Sequence, residues 1–259
     1  MKRTSTFFLL VAALLAACTD SGSDTIEFEK VSVERTVNLT KDQDSPQCHL
    51  QLEVMQAKPD TSAAHRLINE AVIKKIFYFE GLTVKEAADS FANVYTRSYQ
   101  QDLAPLYRED RSDQAKHPWY EYRYTVTTDA HPGRPGITCY LVNLDYYEGG
   151  AHGITQLLTM NFDNKTGKSV KLSDLMQPDY EQKLNELLLK ALLKKTGAKD
   201  LDALHDQGYL YSMYIFAPEN YLLESDGITF VYNPYEIAPY SEGIIKLTID
   251  YDDLEKLLK

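Results

Sequence analysis

Two short stretches hold the residues best suited to chemistry or recognition. Tyr147-Glu148-Gly149-Gly150-Ala151-His152-Gly153 surrounds one carboxylate and one imidazole with three glycines. Glycine takes positive φ without a Cβ clash and lets main chain approach a neighbour closely. A rigid loop of this kind would present Glu148 and His152 to a ligand. The structural alternative is a bulged hairpin in which His152 caps backbone groups. The second stretch is Tyr232-Asn233-Pro234-Tyr235-Glu236-Ile237-Ala238-Pro239-Tyr240. Its prolines fix φ and withdraw ladder donors, so the chain should leave a sheet here along an ordered path. Tyr235 and Tyr240 offer flat apolar faces with polar tips, suited to a sugar or a protein surface, and Glu236 adds a charge. The alternative is a tyrosine-lined loop closing one end of the core. The binding candidates are thus Tyr147, Glu148, Gly149, Gly150, His152, Tyr235, Glu236 and Tyr240.

An enzymatic reading would pair His152 with Glu148 or Glu236 as acid and base in a wall-modifying hydrolase. No residue is assigned a catalytic role, because no nucleophile elbow, H-E-x-x-H, phosphate loop or dinucleotide fingerprint occurs. The six histidines are scattered singly, so no metal site and no cofactor is expected. Cys48 and Cys139 form an even pair once Cys18 is set aside. In an oxidising compartment they either join in a disulfide or remain two buried thiols acting as small apolar residues.

The N-terminus bears on that compartment. Lys2 and Arg3 precede an apolar run from Phe7 to Leu15, then Leu15-Ala16-Ala17-Cys18. The run is shorter than the roughly 20 residues a spanning helix needs. The pattern is that of a secretory leader, and it resembles a bacterial lipoprotein signal with Cys18 as the lipidated first residue. The expected organisation is a signal peptide at 1–17, a lipidated cysteine and flexible tether at 18–25, an N-terminal domain at 26–110 and a C-terminal domain at 111–259. Thr19 after Cys18 resembles the sorting pattern of lipoproteins released from the inner membrane. This implies a lipid-anchored place in the cell envelope, at the outer membrane of a cell with two membranes, on either its periplasmic or its surface face. Loss of the two leader cations takes the net charge from −11 to −13. Such acidity argues against nucleic acid and against anionic lipid surfaces, and favours cationic partners.

The elements that must position the two stretches read as follows. Ile26 to Leu39 and Cys48 to Met55 alternate as strands, the second with Cys48, Leu50, Leu52 and Val54 on one face. Asp60-Thr61-Ser62 offers caps for a helix stopped by Gly81. Thr83 and Glu86 form a capping box for a second helix ending near Pro105. Residues 108–118 read as a loop. Trp119 to Thr128 reads as a strand with Tyr120, Tyr122 and Tyr124 on one face, followed by a turn at 131–136. Strands then run from Ile137 to Tyr147 and from Ile154 to Phe162. Pro178 to Lys195 is a helix, with a short one at Lys199–His205. Strands follow at 214–216, 221–223, 228–232 and 244–249, and a short helix at 251–258. The order predicts an α+β fold of largely antiparallel sheets packed with helices, in two closely associated subdomains.

At these motifs the chain resembles a known family. Gly149-Gly150-Ala151-His152-Gly153, Asn161-Phe162-Asp163, Thr166-Gly167-Lys168 and Leu172-Ser173-Asp174-Leu175 are similar to a bacterial envelope domain, domain of unknown function 3298. That domain forms the C-terminal half of lysozyme-sensing anti-sigma factors of the RsiV type. Phe230 to Tyr240 matches the same family's later motif. Residues 27–108 resemble the smaller domain that precedes the catalytic domain of PdaC-type peptidoglycan deacetylases (domain of unknown function 4163). RsiV-type proteins carry a sigma-binding segment and a membrane span where this chain has a lipoprotein-like leader. PdaC-type enzymes carry a metal-dependent domain after this region. The resemblance therefore implies the binding module alone: an envelope-anchored lipoprotein recognising lysozyme or a peptidoglycan fragment. A structural lipoprotein that docks an envelope protein is the remaining reading.

Overall fold

The computed structural model describes residues 25–58, 62–211 and 213–259. The expected leader, Cys18, nearly all of the tether, and Asp60 and Thr61 lie outside the described residues. The fold is α+β and holds two sheets. The larger has strand order β1-β2-β3-β4-β5, built from Phe28–Asn38, Gln47–Ala57, Tyr122–Pro132, Ile137–Glu148 and Ile154–Asp163. All its neighbours are antiparallel except β2 and β3, which run parallel with Cys48 opposite Tyr122. Parallel strands need a crossover, here made by helices α1 (Ala63–Phe77) and α2 (Val84–Asp110). Strands from both sides of residue 110 thus share one sheet.

Helix α1 starts at Ser62, whose side chain accepts from the His65 N–H, and ends on Tyr78 in the left-handed region, before Gly81. The capping box at Thr83 and Glu86 is formed. Pro105 does not end α2, which continues to Asp110. Proline removes one helical hydrogen bond, but the turn beyond it seats Tyr107 in a cluster with Leu39, Cys48, Tyr99 and Tyr120. That burial offsets the lost bond. Residues 114–120 form a 3-10 helix rather than loop and strand, so Tyr120 joins this cluster while Tyr122 and Tyr124 remain in β3. The clean alternation of β2 turns Leu50, Leu52 and Val54 onto the face covered by Ile68, Val72, Val84 and Ala88.

The smaller sheet has order β6-β7-β8, from Tyr221–Leu223, Gly227–Tyr232 and Ile245–Asp250, all antiparallel. It packs with α4 (Glu181–Thr196), whose Leu184, Leu188 and Leu192 are fully buried, over a core that includes Phe230 and Leu247. Helix α4 begins after Pro178 and a left-handed Asp179, and ends on Gly197 at φ 73°. Shorter helices are α3 (Leu172–Leu175), α5 (Leu201–Asp206) and α6 (Tyr251–Leu254). No strand forms at 214–216. Tyr214 is exposed, and Phe216 spends its carbonyl on the Tyr232 hydroxyl, 2.6 Å away.

The two sheets meet edge to edge, joined by asparagines instead of a backbone ladder. Asn161 on β5 donates to the Tyr221 carbonyl at 2.8 Å and accepts from the Leu223 N–H at 2.8 Å. In the other direction, Asn233 accepts from the Leu157 N–H at 2.8 Å, and Asn220 donates to the Leu157 carbonyl at 2.7 Å. Strands β5 and β6 would otherwise bury unpaired edge groups.

The disulfide between Cys48 and Cys139 is not formed; both are free and buried. Cys48 lies across from Tyr122 at one end of β3, and Cys139 across from His131 near the other. Nine residues of strand separate those positions, about 30 Å, whereas a disulfide needs Cα atoms within about 7 Å. Burial, with a smaller contribution from a nearby carboxylate, pushes each thiol up to about 12. Both therefore stay protonated at neutral pH.

Candidate functional site

The β4–β5 hairpin loop and the loop after β7 come together. Gly149 and Gly150 take φ 80° and 89°, and a Cβ on Gly149 would lie 2.7 Å from the Trp119 carbonyl oxygen. The glycines thus let the hairpin tip close against the 3-10 helix. Tyr147 donates to the Gly150 carbonyl at 2.9 Å and fixes the tip from inside.

His152 Nδ1 lies 2.8 Å from the Gly153 carbonyl. A carbonyl only accepts, so Nδ1 carries a proton, and in the neutral ring Nε2 is left as an acceptor. The hydroxyl of Tyr235 faces that Nε2 at 3.4 Å. The Tyr240 ring stacks on the imidazole, centroids 4.3 Å apart and planes 25° apart, and its hydroxyl donates to the Gly153 carbonyl at 2.8 Å. Tyr235 and Tyr240 are 5.7 Å apart. The result is a three-ring platform assembled from segments more than 80 residues apart in sequence.

Tyr235 is held in the left-handed region at φ 73°, which costs a non-glycine residue free energy. The residue is nevertheless 65% exposed, so burial does not offset that cost. The backbone is trapped by the turn around it. Tyr235 N–H donates to the Ala238 carbonyl, Glu236 N–H to the Asn233 carbonyl, and the Glu236 carboxylate accepts from the Asn233 N–H at 2.8 Å. Asn233 is in turn tied to β5, so the loop hangs rigidly from the seam between the sheets. The preceding segment touches the same loop: the Leu210 N–H donates to the Ile237 carbonyl, and exposed Tyr211 and Tyr214 follow.

The acids are placed differently from the rings. Glu236 closes the turn. Glu148 accepts from the Tyr95 hydroxyl of α2 at 2.8 Å, and no hydrogen bond joins it to His152. Burial, together with this carboxylate, raises the Tyr95 phenol well above its usual range. His152 is thus engaged by a phenol and a carbonyl, and the carboxylate partner that the acid–base reading needs is spent elsewhere.

Two further features were not legible as sites. An apolar cleft of about 580 Å³ separates α1 from the β3–β5 face, lined by Ile76, Tyr124, Val142 and Leu158 with Lys74 and Lys75 at hand. It shares no residue with the ring platform. The second is a cluster of His131, Cys139 and Glu224, whose donor atoms lie within 4.8 Å of one another. The sequence shows no metal-ligand spacing here, because Glu224 lies 93 residues beyond His131. The signal within reach was the tight 133–136 turn, which places His131 across from Cys139.

The fold is thus an α+β module of two sheets joined at their edges, with an open ring platform on the β4–β5 loop and the loop after β7. The chain belongs to the DUF3298 family. A family profile described as "Protein of unknown function (DUF3298)" matches residues 173–252. A crystal structure of a DUF3298 family member from Bacteroides fragilis is 30% identical, with a TM-score of 0.84, covering 90% of this chain and 94% of that one. A DUF3298 family protein from Pseudomonas aeruginosa PAO1 shares the fold at 18% identity and a TM-score of 0.63, covering 91% and 95%. No curated protein matches the chain. Among the described residues no helix is long and apolar enough to cross a membrane.

Proposed function

We propose that the chain is an envelope-anchored recognition lipoprotein, attached through Cys18 at the outer membrane, that binds a basic protein of the lysozyme type. The observation that carries this reading is Tyr235, exposed, held in a strained backbone conformation and set against the stacked His152–Tyr240 pair. Strain retained at an exposed aromatic residue is a mark of function, and rigid aromatic anchors are what protein interfaces use. The net charge, −11 for the full chain and −13 without the leader's Lys2 and Arg3, supplies long-range attraction to a cationic partner. The likeness of the 149–153 and 230–240 motifs to the lysozyme-sensing family points the same way. The PdaC-type resemblance is read from residues 27–108, the stretch that holds β1, β2, α1 and most of α2.

A second reading is supported by the ring geometry alone: a peptidoglycan fragment stacking a sugar on Tyr235 and Tyr240. Replacing Tyr235 by alanine separates recognition from folding, since the ring is exposed. Affinity for the ligand is expected to fall about tenfold or more, with an unchanged unfolding midpoint. Titration calorimetry of parent and variant measures this; equal affinities would remove the platform from the interface.

A further inference from the structure

We propose that His131, Cys139 and Glu224 form a binding site for a zinc-type divalent cation that clasps the β3–β4 hairpin to the small sheet. The three donors come from three places: the end of β3, the start of β4 and the residue after β6. His131 and Cys139 are directly opposed in the antiparallel ladder, so their side chains share one face. His131 Nε2 and a Glu224 carboxylate oxygen are 3.1 Å apart. All three donor atoms lie within 4.8 Å, close to the spread that bonds of about 2.0–2.3 Å to one zinc ion would draw together.

The surroundings hold the donors in place. Gly133 is packed so closely that a Cβ there would sit 2.2 Å from the Leu223 carbonyl oxygen and 2.7 Å from the Cys139 sulfur. The hairpin and β6 are therefore in backbone contact at this point. Glu224 is fixed through its own carbonyl, which accepts from the Tyr251 hydroxyl at 3.0 Å, and Arg134 lies over that tyrosine ring.

A cation that binds here must displace the thiol proton. Cys139 points its sulfur at the Leu223 carbonyl, 3.4 Å away, and at the Asn161 side-chain oxygen, 3.6 Å away. Both acceptors keep another donor: the Arg134 N–H for the carbonyl, the Leu223 N–H for the amide. When the cation forms its bond to sulfur, the S–H proton leaves to solvent and no buried acceptor is orphaned. Cys139 is completely buried, whereas the His131 and Glu224 side chains are 35% and 27% exposed. The cation would enter from their side, with its fourth position open to water. A thiolate, an imidazole and a carboxylate favour zinc over calcium or magnesium, which take oxygen ligands.

The test is cobalt titration of the chelator-treated full chain carrying Cys18→Ser, which leaves two buried thiols. One equivalent of Co²⁺ should bind with a thiolate-to-cobalt charge-transfer band, and Zn²⁺ should displace it. Cys139→Ser should abolish the band. His131→Ala and Glu224→Gln, at part-exposed positions, should each weaken binding by about tenfold or more while keeping the far-ultraviolet dichroism of the parent. If Cys139→Ser does not fold, these two variants decide the matter. Absence of the band, its survival in Cys139→Ser, or parental affinity in both surface variants would overturn the site.

Discussion

Gly167→Ala is expected to destabilise the protein by about 3 kcal/mol or more, because two independent costs add. Gly167 takes φ 69°, which penalises any residue with a Cβ, and that Cβ would lie 2.2 Å from the Ala64 carbonyl oxygen and 2.5 Å from its Cα. The neighbour is backbone at the start of α1, so a rotamer change does not relieve the clash. The turn itself is stiff: Asp163 accepts from the Thr166 N–H and hydroxyl, and the Gly167 N–H returns to the Asp163 carbonyl. This explains Thr166-Gly167-Lys168 physically, as the contact that sets α1 against the end of β5. Urea unfolding should show a lower midpoint with little change in slope. A loss well under 1 kcal/mol would mean that α1 shifts freely at its first turn.

Asn161→Ala should cost about 3 kcal/mol by a different route. Asn161 is 3% exposed and pairs with both the Tyr221 carbonyl and the Leu223 N–H. Alanine leaves one buried donor and one buried acceptor without partners, at about 1–3 kcal/mol each. Aspartate would rescue only the Leu223 N–H and would set a carboxylate against the Tyr221 carbonyl, so it should be no better. Amide exchange at Leu223 should accelerate more than exchange in β2, which lies three strands away. Equal stability of parent and alanine variant would show that the sheets are held by the apolar core alone.

What the sequence makes legible follows from what each pattern depends on. The alternation of Cys48, Leu50, Leu52 and Val54, the Thr83–Glu86 box and the leucine stripe of α4 are local patterns, and each element forms where the pattern lies. The course of α2 past Pro105 depends on Tyr107 finding Tyr120, a contact with a later segment. The parallel pairing of β2 with β3 likewise depends on two helices folding back over the sheet, and local periodicity carries no trace of it. The same division holds at the site. The glycine-rich stretch and the tyrosine stretch each stand out in the sequence, but their meeting at His152 is a tertiary fact. Glu148 and Glu236 look like ligand groups in one dimension because a carboxylate's partner is invisible there; in three, Tyr95 and the Asn233 N–H hold them. Asn161 and Asn233 lie in stretches that the sequence singles out, but their task at the seam is not legible there, since a buried asparagine reads like any turn residue, and Asn220 carries no signal at all.

The central claim is that an acidic module recognises a basic partner through the Tyr235 platform. Calorimetric titration with a basic lysozyme at low and at high salt tests it most directly. Saturable binding that weakens as salt screens the attraction, and that falls about tenfold or more in Tyr235→Ala, is the expected result. No saturable heat at low salt, or binding indifferent to both salt and Tyr235, would contradict it.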